Sequence, residues 1–451
     1  MADFHDNVAK CLPHISRRIS ARLAQIEFAP VFGPVSLAAG GLIRAKGIMI
    51  SVGEMATLVN PDGRELGQAQ CVGVETDTAI LAPYGSLDGV TTQTSVYPAG
   101  SQPSINVGPE CLGALLDAFG ATMARYSSGQ LYTFGKECRS LNAAPLKPTE
   151  RRKVSEPMTT GLRVIDGLIT TGYGQRIGIF GKPGAGKSSL VSQIVSSAKA
   201  DVVVVGLIGE RGREVADFVE HMRSQEMIDR CCIVASTSDS PPQERLCGAL
   251  AATTIAEYFR DNGLNVLLVV DSVTRVARAV RELGLAAGEP PTRRGYPPSV
   301  FSVLPRLFER TGATQHGSIT GVYTVLAEGN IDMDPVVEET RSLLDGHIIL
   351  STKLLSAGRF PPIDVIDSLS RVAPQIIDRA HLEAAQRTRA MLSRCAEIEL
   401  LVRIGEYKRG ADPEIDHAIA MKPEIEAFLT QSSAEREPFE STLRKLKTLA
   451  A

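Results

Sequence analysis

The spacing of hydrophobic residues changes character several times along the chain. Over residues 1–28, apolar positions recur at close to helical period with arginines between them, which predicts an amphipathic helix. Such a helix suits a membrane surface or a partner protein, and it equally suits an ordinary helix with one solvated face. The sequence leaves both interpretations open.

Residues 29–97 carry a β pattern. Short runs of β-forming residues alternate with Gly, Pro and an Asn-Pro-Asp-Gly break, which predicts a small antiparallel barrel domain. The runs expected to form its strands are Leu42–Ile43, Ile48–Ile50, Gln68–Val74 and Ala79–Leu81.

Residues 98–385 alternate apolar strands with helical stretches, which predicts an α/β domain with a mostly parallel sheet. Residues 386–451 are rich in Ala, Leu, Glu, Arg and Lys at helical spacing, which predicts an all-helical C-terminal domain. The three clearest strands of the α/β domain are Gln175–Phe180, Val202–Ile208 and Asn265–Val270.

A glycine-rich segment follows the first of these strands and matches the phosphate-binding loop pattern G-x-x-x-x-G-K-[ST]. Glycines let backbone N–H groups surround a phosphate, and the helix that follows presents its positive end. Lys187 can reach the β- and γ-phosphates of ATP, and the Ser188 hydroxyl can bind Mg²⁺. The predicted ATP-binding set is Gly181, Lys182, Pro183, Gly184, Ala185, Gly186, Lys187, Ser188 and Ser189.

Two acidic residues end the other two strands. Asp271 closes the third strand, where a second Mg²⁺ partner is expected downstream of a phosphate loop. Glu210 follows the second strand and could orient the water that attacks the γ-phosphate, although a mixed-charge surface loop explains it equally well. Since open α/β sheets place their sites at the carboxyl ends of strands, we expect these residues to converge with Lys187.

Composition narrows the class of protein. The chain has 451 residues, with 48 Lys and Arg against 51 Asp and Glu, so its net charge of −3 does not indicate a nucleic-acid partner. The eight cysteines show no metal-ligand spacing, and no stretch has signal-peptide or transmembrane character. A cytoplasmic protein is expected.

Several motifs, in one order, carry a family resemblance. The chain resembles the catalytic ATPases of type III export systems, which are relatives of the catalytic rotary ATP synthase subunit, over about Gly33 to Phe428. The motifs are Thr160–Arg163 through Gly167, the phosphate loop, Gly209–Glu214, Gly288–Pro291, Gly295–Phe301, Gly317–Thr320, Leu344–His347 and Gly405–Tyr407.

The resemblance implies a RecA-like fold and a homohexameric ring with ATP sites at the subunit interfaces. In such a ring the residue matching Glu210 aligns the water and its neighbour Arg211 helps to hold the site. Arg371 matches the arginine finger of the adjacent subunit, which stabilises charge on the transferring phosphoryl group. Phe360 matches the aromatic that stacks on adenine, although a core aromatic is the other interpretation.

The resemblance also implies partners: a stator-like peripheral regulator, a central stalk protein, export-gate and sorting-platform proteins, chaperone–effector complexes and the cytoplasmic face of the inner membrane. The chain departs from common family patterns at Lys182–Pro183, at Asn330 after Glu328–Gly329, and at Ser351–Lys353. These departures concern coupling to substrates rather than ATP chemistry.

Rival functions are an ATP synthase catalytic subunit, a hexameric nucleic-acid translocase and a scaffold that binds ATP without turnover. No acidic DELSEED-type stretch marks the C-terminal helices, and the chain has no Trp and few aromatics to stack on bases. Between injectisome and flagellar export ATPases, the segments Val276–Ala279 and Pro291–Gly295 favour the injectisome.

Overall fold

The computed structural model describes residues 32–127, 131–327, 333–404, 406–408, 410 and 412–450. The helix predicted over residues 1–28 lies outside these ranges, as do Glu328–Gly329, Asn330 and Gly405. The chain divides into two compact units, one with most of the barrel strands and one with Gln102–Ala451 together with Gly40–Leu42 and Ala82–Leu87.

The first unit is built on a closed barrel of six strands, as the β pattern predicted, with the order β1-β2-β5-β4-β3-β6. One predicted strand is wrong: Ile48–Ile50 follows Gly47, whose positive φ of 66° turns the chain, and Met49 is 83% exposed. The strands are β1 Gly33–Ala39, β2 Leu42–Lys46, β3 Met55–Val59, β4 Glu65–Glu75, β5 Thr78–Tyr84 and β6 Ser95–Pro98.

The second unit contains a ten-stranded sheet in the order β18-β17-β11-β16-β14-β12-β13-β8-β9, with β15 paired to β16 and a separate β7–β10 pair. The strands are β7 Ser104–Val107, β8 Ala114–Leu116, β9 Thr122–Arg125, β10 Glu137–Ser140, β11 Arg176–Gly181, β12 Val202–Glu210, β13 Cys231–Thr237, β14 Asn265–Asp271, β15 Gly312–Ala313, β16 Ser318–Leu326, β17 Gly346–Leu350 and β18 Ile363–Ser370.

The sheet is parallel from β17 to β8 and antiparallel at its two edges, where β18 and β9 are added. Its interior strand β12 is buried at all nine positions, because helices cover both faces of a parallel sheet. Val202 and Val204 pack into one hydrophobic cluster, and Val203 and Val205 pack into the other. The two clusters therefore lie on opposite faces of the sheet.

The helices of the second unit lie between the strands and beyond them. They are Arg163–Leu168, Lys187–Ser197, Gly212–Ser224, Pro242–Asp261, Val273–Ala286, Pro298–Phe308, Pro335–Leu343, Thr352–Ser356, Ala373–Ile376, Arg379–Arg403, Pro413–Leu429 and Phe439–Leu449.

The C-terminal helices share a core with one face of the sheet. Ile425, Phe428 and Leu446 belong to the same hydrophobic cluster as Val203 and Val205. The predicted α/β fold, with a barrel before it and helices after it, is confirmed, while the domain limits at residues 97/98 and 385/386 stay predictions. In the described part of the chain, no helix is both long enough and apolar enough to span a membrane.

Candidate functional site

Three strands of the parallel sheet end at one edge with the residues singled out from the sequence. β11 ends at Gly181, β12 ends at Glu210 and β14 ends at Asp271. β16 lies between β11 and β14, and β12 is the next neighbour of β14. Because the strands are parallel, their carboxyl ends meet at the same edge, where α/β sheets bind ligands.

The phosphate loop leads from β11 into the helix Lys187–Ser197. Gly184 and Gly186 have φ of 78° and 84°, in the left-handed region that favours glycine. A Cβ on Gly186 would lie 3.3 Å from Pro362 Cγ, so the loop has little space on that side. Lys182, Pro183, Gly184, Ser188 and Ser189 are exposed, which leaves the cradle accessible.

Lys187 makes a buried ion pair across the strand ends. Its Nζ lies 2.5 Å from Asp271 Oδ1 and 3.9 Å from Glu210 Oε1, and the Thr324 hydroxyl donates to Asp271 at 2.7 Å. The three charged residues are each 5–8% exposed. Buried charges need such partners, so the lysine and both carboxylates form one electrostatic cluster.

The surroundings of Glu210 alter the acidity of its carboxyl group. Burial and the negative charge of Asp271 raise its pKa to about 7, against the opposing charges of Lys187 and Arg275. Its Oε1 is buried and has no hydrogen-bond partner among the described residues. A carboxyl with a pKa near neutrality and an unused acceptor is suited to hold and polarise a water molecule.

A cavity of about 400 Å³ opens beside the cluster and is lined in part by Ser188, Gln193, Glu210, Glu214 and Asp271. The cavity lining offers hydroxyl and carboxylate oxygens, which are the ligand atoms that Mg²⁺ takes. The described residues contain no group of three or more His, Cys, Asp or Glu side chains placed to hold a metal. Mg²⁺ commonly binds through one or two protein oxygens and substrate phosphates, so Ser188 and Asp271 fit it.

Phe360 lies in a loop close to the phosphate loop. Pro362, two residues further on, is the nearest neighbour of the Gly186 position, and Phe360 itself is partly exposed. An aromatic face at this place is available to a nucleotide base. The stacking role of Phe360 stays a prediction beside the core-aromatic interpretation.

Arg371 lies at the other end of the parallel strands, where their amino termini are. Its backbone N–H donates to the Asp345 carbonyl at 2.9 Å, just before β17, and its side chain is exposed. Asp345 in turn binds Arg176 at the start of β11. β11 alone spans roughly 17 Å at about 3.3 Å per residue, so Arg371 does not reach the phosphate loop of its own chain.

Arg211 is also outside the buried cluster. Its side chain is 79% exposed, and its Nε lies 3.9 Å from Glu214 Oε1, an exposed ion pair of little energetic weight. The structure therefore brings together Lys187, Glu210 and Asp271, and leaves the two arginines facing outward.

Sequence reasoning missed two residues of the site. Thr324 comes from β16, and its contact with Asp271 depends on strand order, which no local motif encodes. Arg275 lies in the first turn of the helix after Asp271, and a Cβ on Gly209 would come within 3.0 Å of it. The glycine before Glu210 was the available signal for this close approach.

Comparison with known proteins agrees with this geometry. Residues 161–370 match the ATP synthase alpha/beta family, nucleotide-binding domain, and residues 377–448 match the T3SS EscN ATPase C-terminal domain. The chain is 44% identical to a type 3 secretion system ATPase of Xanthomonas euvesicatoria over 97% of this chain and 98% of that one. It is 42% identical to a flagellum-specific ATP synthase of Bacillus subtilis over 93% and 95% of the two chains.

A solved structure is similar over nearly the same length. The assembled ATPase EscN of enteropathogenic E. coli, in complex with its central stalk EscO, superposes with a TM-score of 0.83 at 41% identity, covering 93% of this chain and all of that one. On these matches, the chain belongs to the family of type III secretion system ATPases and is an ATP-hydrolysing enzyme.

Proposed function

We propose that this chain forms a homohexameric ring that hydrolyses Mg²⁺-ATP between subunits and energises type III secretion by releasing and unfolding chaperone-bound effectors. The observation that carries the proposal is the convergence of Lys187, Glu210 and Asp271 at one sheet edge, beside an open phosphate loop.

ATP binding changes the partners of Lys187 in this proposal. The phosphate loop amides hold the β- and γ-phosphates, and the Nζ of Lys187 exchanges Asp271 for phosphate oxygens. Asp271, still held by the Thr324 hydroxyl, and Ser188 are then free to hold Mg²⁺. When bound, the ion supplies charge neutralisation on the β- and γ-phosphate oxygens.

Glu210 acts on the attacking water. Its free Oε1 accepts a hydrogen bond from the water and aims the oxygen at the γ-phosphorus. β12 ends at Glu210 and so sets where this acceptor lies beside the phosphate loop. Phe360 provides the face on which adenine stacks.

Arg371 completes the site of the neighbouring subunit. Its exposure, its distance from its own phosphate loop and the assembled state of the EscN relative support this arrangement. A guanidinium supplied in trans stabilises the transition-state charge and can raise kcat about 10³- to 10⁵-fold. Arg211, exposed near the same edge as Glu210, is proposed to help hold the site once the neighbour is present.

The proposed partner proteins follow from the family to which the chain belongs. The EscN relative was solved with a central stalk, and we propose a stalk protein for this ring as well. Chaperone–effector complexes, export-gate and sorting-platform proteins, and a stator-like regulator at the cytoplasmic face of the inner membrane are the other proposed partners. No nucleic acid takes part.

Subunit mixing tests the shared site. Lys187→Ala and Arg371→Ala chains, each inactive alone, should regain part of the ATPase activity when mixed, because some interfaces then pair an intact lysine with an intact finger. Phosphate release is the measurement, with native mass spectrometry to show that mixed rings form. Arg379→Ala is the control, since that arginine is 92% exposed and pairs with Glu383 on its own helix. Mixed rings without recovered activity would contradict the trans finger.

We further propose that the chain serves an injectisome rather than a flagellum. Both kinds of relative are similar to it at nearly equal identity, so the assignment depends on Val276–Ala279 and Pro291–Gly295. Deleting the gene should abolish export of non-flagellar effectors and leave motility intact. Lost motility with intact effector export would assign the chain to the flagellar system.

A further inference from the structure

A buried glutamine holds the backbone around Arg371. Gln175 is 0% exposed and directly precedes β11. Its Nε2 donates to the Ser370 hydroxyl at 3.0 Å and lies 3.4 Å from the Asp345 carbonyl oxygen. The same carbonyl accepts the Arg371 backbone N–H at 2.9 Å. One amide group therefore contacts both the residue before Arg371 and the carbonyl to which Arg371 itself is bonded.

Further contacts fix the two side chains that meet here. The Gln175 Oε1 accepts the Gly172 N–H at 2.9 Å, and the Ser370 hydroxyl donates to the Thr170 carbonyl at 2.8 Å. A Cβ at Gly346 would lie 3.2 Å from the Gln175 Nε2, so the glycine leaves room for the amide. Because the oxygen and the nitrogen of the amide both have partners, the Gln175 side chain has one orientation.

The next residue, Arg176, holds Asp345 a second time. The Nε and Nη2 of Arg176 each lie 3.0 Å from a different carboxylate oxygen of Asp345, and the Asp345 N–H donates to the Arg176 carbonyl at 2.9 Å. Such bidentate pairs fix geometry as well as adding energy. The start of β11 thus sets where the Arg371 backbone lies, while the Arg371 side chain is exposed.

These contacts are far from the phosphate loop of the same chain. The strand β11 leads from Gln175 to that loop and spans roughly 17 Å at about 3.3 Å per residue. The partners of the Gln175 amide all lie at the other end of the strand, beside Arg371. Loss of the amide should therefore affect the segment that ends at Arg371 before it affects the phosphate loop.

We infer that Gln175 is a positioning residue for Arg371, whose backbone it fixes so that the guanidinium reaches the transferring phosphoryl group in the neighbouring subunit. The inference rests on the proposed function, because it takes Arg371 as a finger supplied in trans. A misplacement of about 1 Å can cost about 10²-fold in rate. Since the finger acts on the transition state, its misplacement lowers kcat and leaves the KM for ATP unchanged.

Steady-state phosphate release by Gln175→Met tests the first part of this inference. Methionine keeps the length of the side chain and removes its hydrogen bonds, so kcat should fall about tenfold or more while KM changes less than about twofold. Mass photometry shows whether the rings are complete. Gln225→Met, at an exposed position, is the control and should behave like the parent. An unchanged kcat, or a raised KM, in fully assembled Gln175→Met rings would overturn the inference.

Subunit mixing distinguishes positioning of the finger from general damage to the chain. Mixed with Lys187→Ala, the Gln175→Met chain should give activity severalfold above the sum of the two separate preparations, because some interfaces then pair an intact lysine with a well-placed finger. Mixed with Arg371→Ala it should give no gain, because every finger is then absent or misplaced. A gain only with Arg371→Ala would place the effect on the phosphate loop of the same chain. No gain with either partner, in mixed rings seen by native mass spectrometry, would indicate general damage. Both results overturn the inference.

Ser370→Ala keeps the inference testable should Gln175→Met fail to fold or assemble. It removes only the hydroxyl between Gln175 and the Thr170 carbonyl, and kcat should fall about threefold with the same mixing pattern. An unchanged kcat in this variant would then decide against the inference. The mixture of Lys187→Ala with Arg371→Ala separates the two proposals. Without recovery there, the trans finger itself is contradicted, whereas recovery there without the pattern expected for Gln175→Met contradicts only the role of Gln175.

Discussion

At the residue scale, the chemistry depends on how burial and charge act on Glu210. The carboxyl lies beside Asp271, which raises its pKa, and faces Lys187 and Arg275, which lower it. The outcome, a pKa of about 7, keeps this side chain partly protonated near neutral pH in the free enzyme. The charges of neighbouring side chains therefore set the protonation state of this hydrogen-bond acceptor.

The pH dependence of kcat/KM should show this control. In the proposed mechanism Glu210 acts as the carboxylate, so activity should rise with pH through about 7 and be lost below it. Arg275→Gln removes a positive charge that lowers the pKa, so the same rise should move to higher pH. Steady-state phosphate release across pH measures both. An unmoved rise in Arg275→Gln, in a variant that folds normally, would contradict this assignment.

Among the elements, the site depends on a strand, a tight loop and a helix that follow one another directly in the chain. β11 delivers the chain to Gly181, and the helix Lys187–Ser197 begins only after Gly184 and Gly186 have taken left-handed conformations. Only glycine adopts these angles without strain, so the glycines are needed for the turn as well as for the approach of phosphate.

Gly186→Ala should therefore impair nucleotide binding. An L-residue in the left-handed region costs about 1–2 kcal/mol, and the new Cβ would also crowd Pro362 at 3.3 Å. We expect ATP affinity to fall at least about tenfold, measured with a fluorescent nucleotide. Gly212→Ala is the matched control, because a Cβ there meets nothing within 4 Å and its φ is not positive. Equal effects of the two changes would contradict this explanation.

For the whole molecule, the phosphate loop and Arg371 lie at opposite ends of the parallel strands. Its phosphate loop opens at the carboxyl edge of the sheet, while Arg371 is exposed at the amino edge beside Asp345. The antiparallel strand β18 runs from the aromatic loop to Arg371 and so joins the two edges. In the proposed ring, each chain would therefore contribute its phosphate loop to one site and Arg371 to the next.

Specific ATPase activity should therefore increase with protein concentration as rings form. A lone chain has the lysine and both carboxylates but lacks the finger, so its turnover should be lower by about 10³ or more. Phosphate release measured alongside mass photometry links activity to the assembled fraction. Arg371→Ala should assemble like the parent and stay inactive. Full activity in a population shown to be monomeric would contradict the shared site.

Strand alternation, helical period and glycine spacing are local properties of the chain, so the elements and the phosphate loop can be predicted from sequence alone. This reason explains why the sequence predicts the barrel, the parallel strands β11, β12 and β14 and the lysine at the helix start. The prediction of a strand at Ile48–Ile50 is wrong because Gly47, in a left-handed conformation, turns the chain just before this short apolar run.

Contacts between residues that are distant in the chain depend on how the elements pack. Strand order puts Thr324 against Asp271, burial sets the acidity of Glu210, and the end of a C-terminal helix holds the loop of Phe360. The placement of Arg371 on the far edge likewise follows from the antiparallel direction of β18. Such contacts join residues far apart in the chain, and their energies depend on packing and local charge that no single segment of sequence specifies.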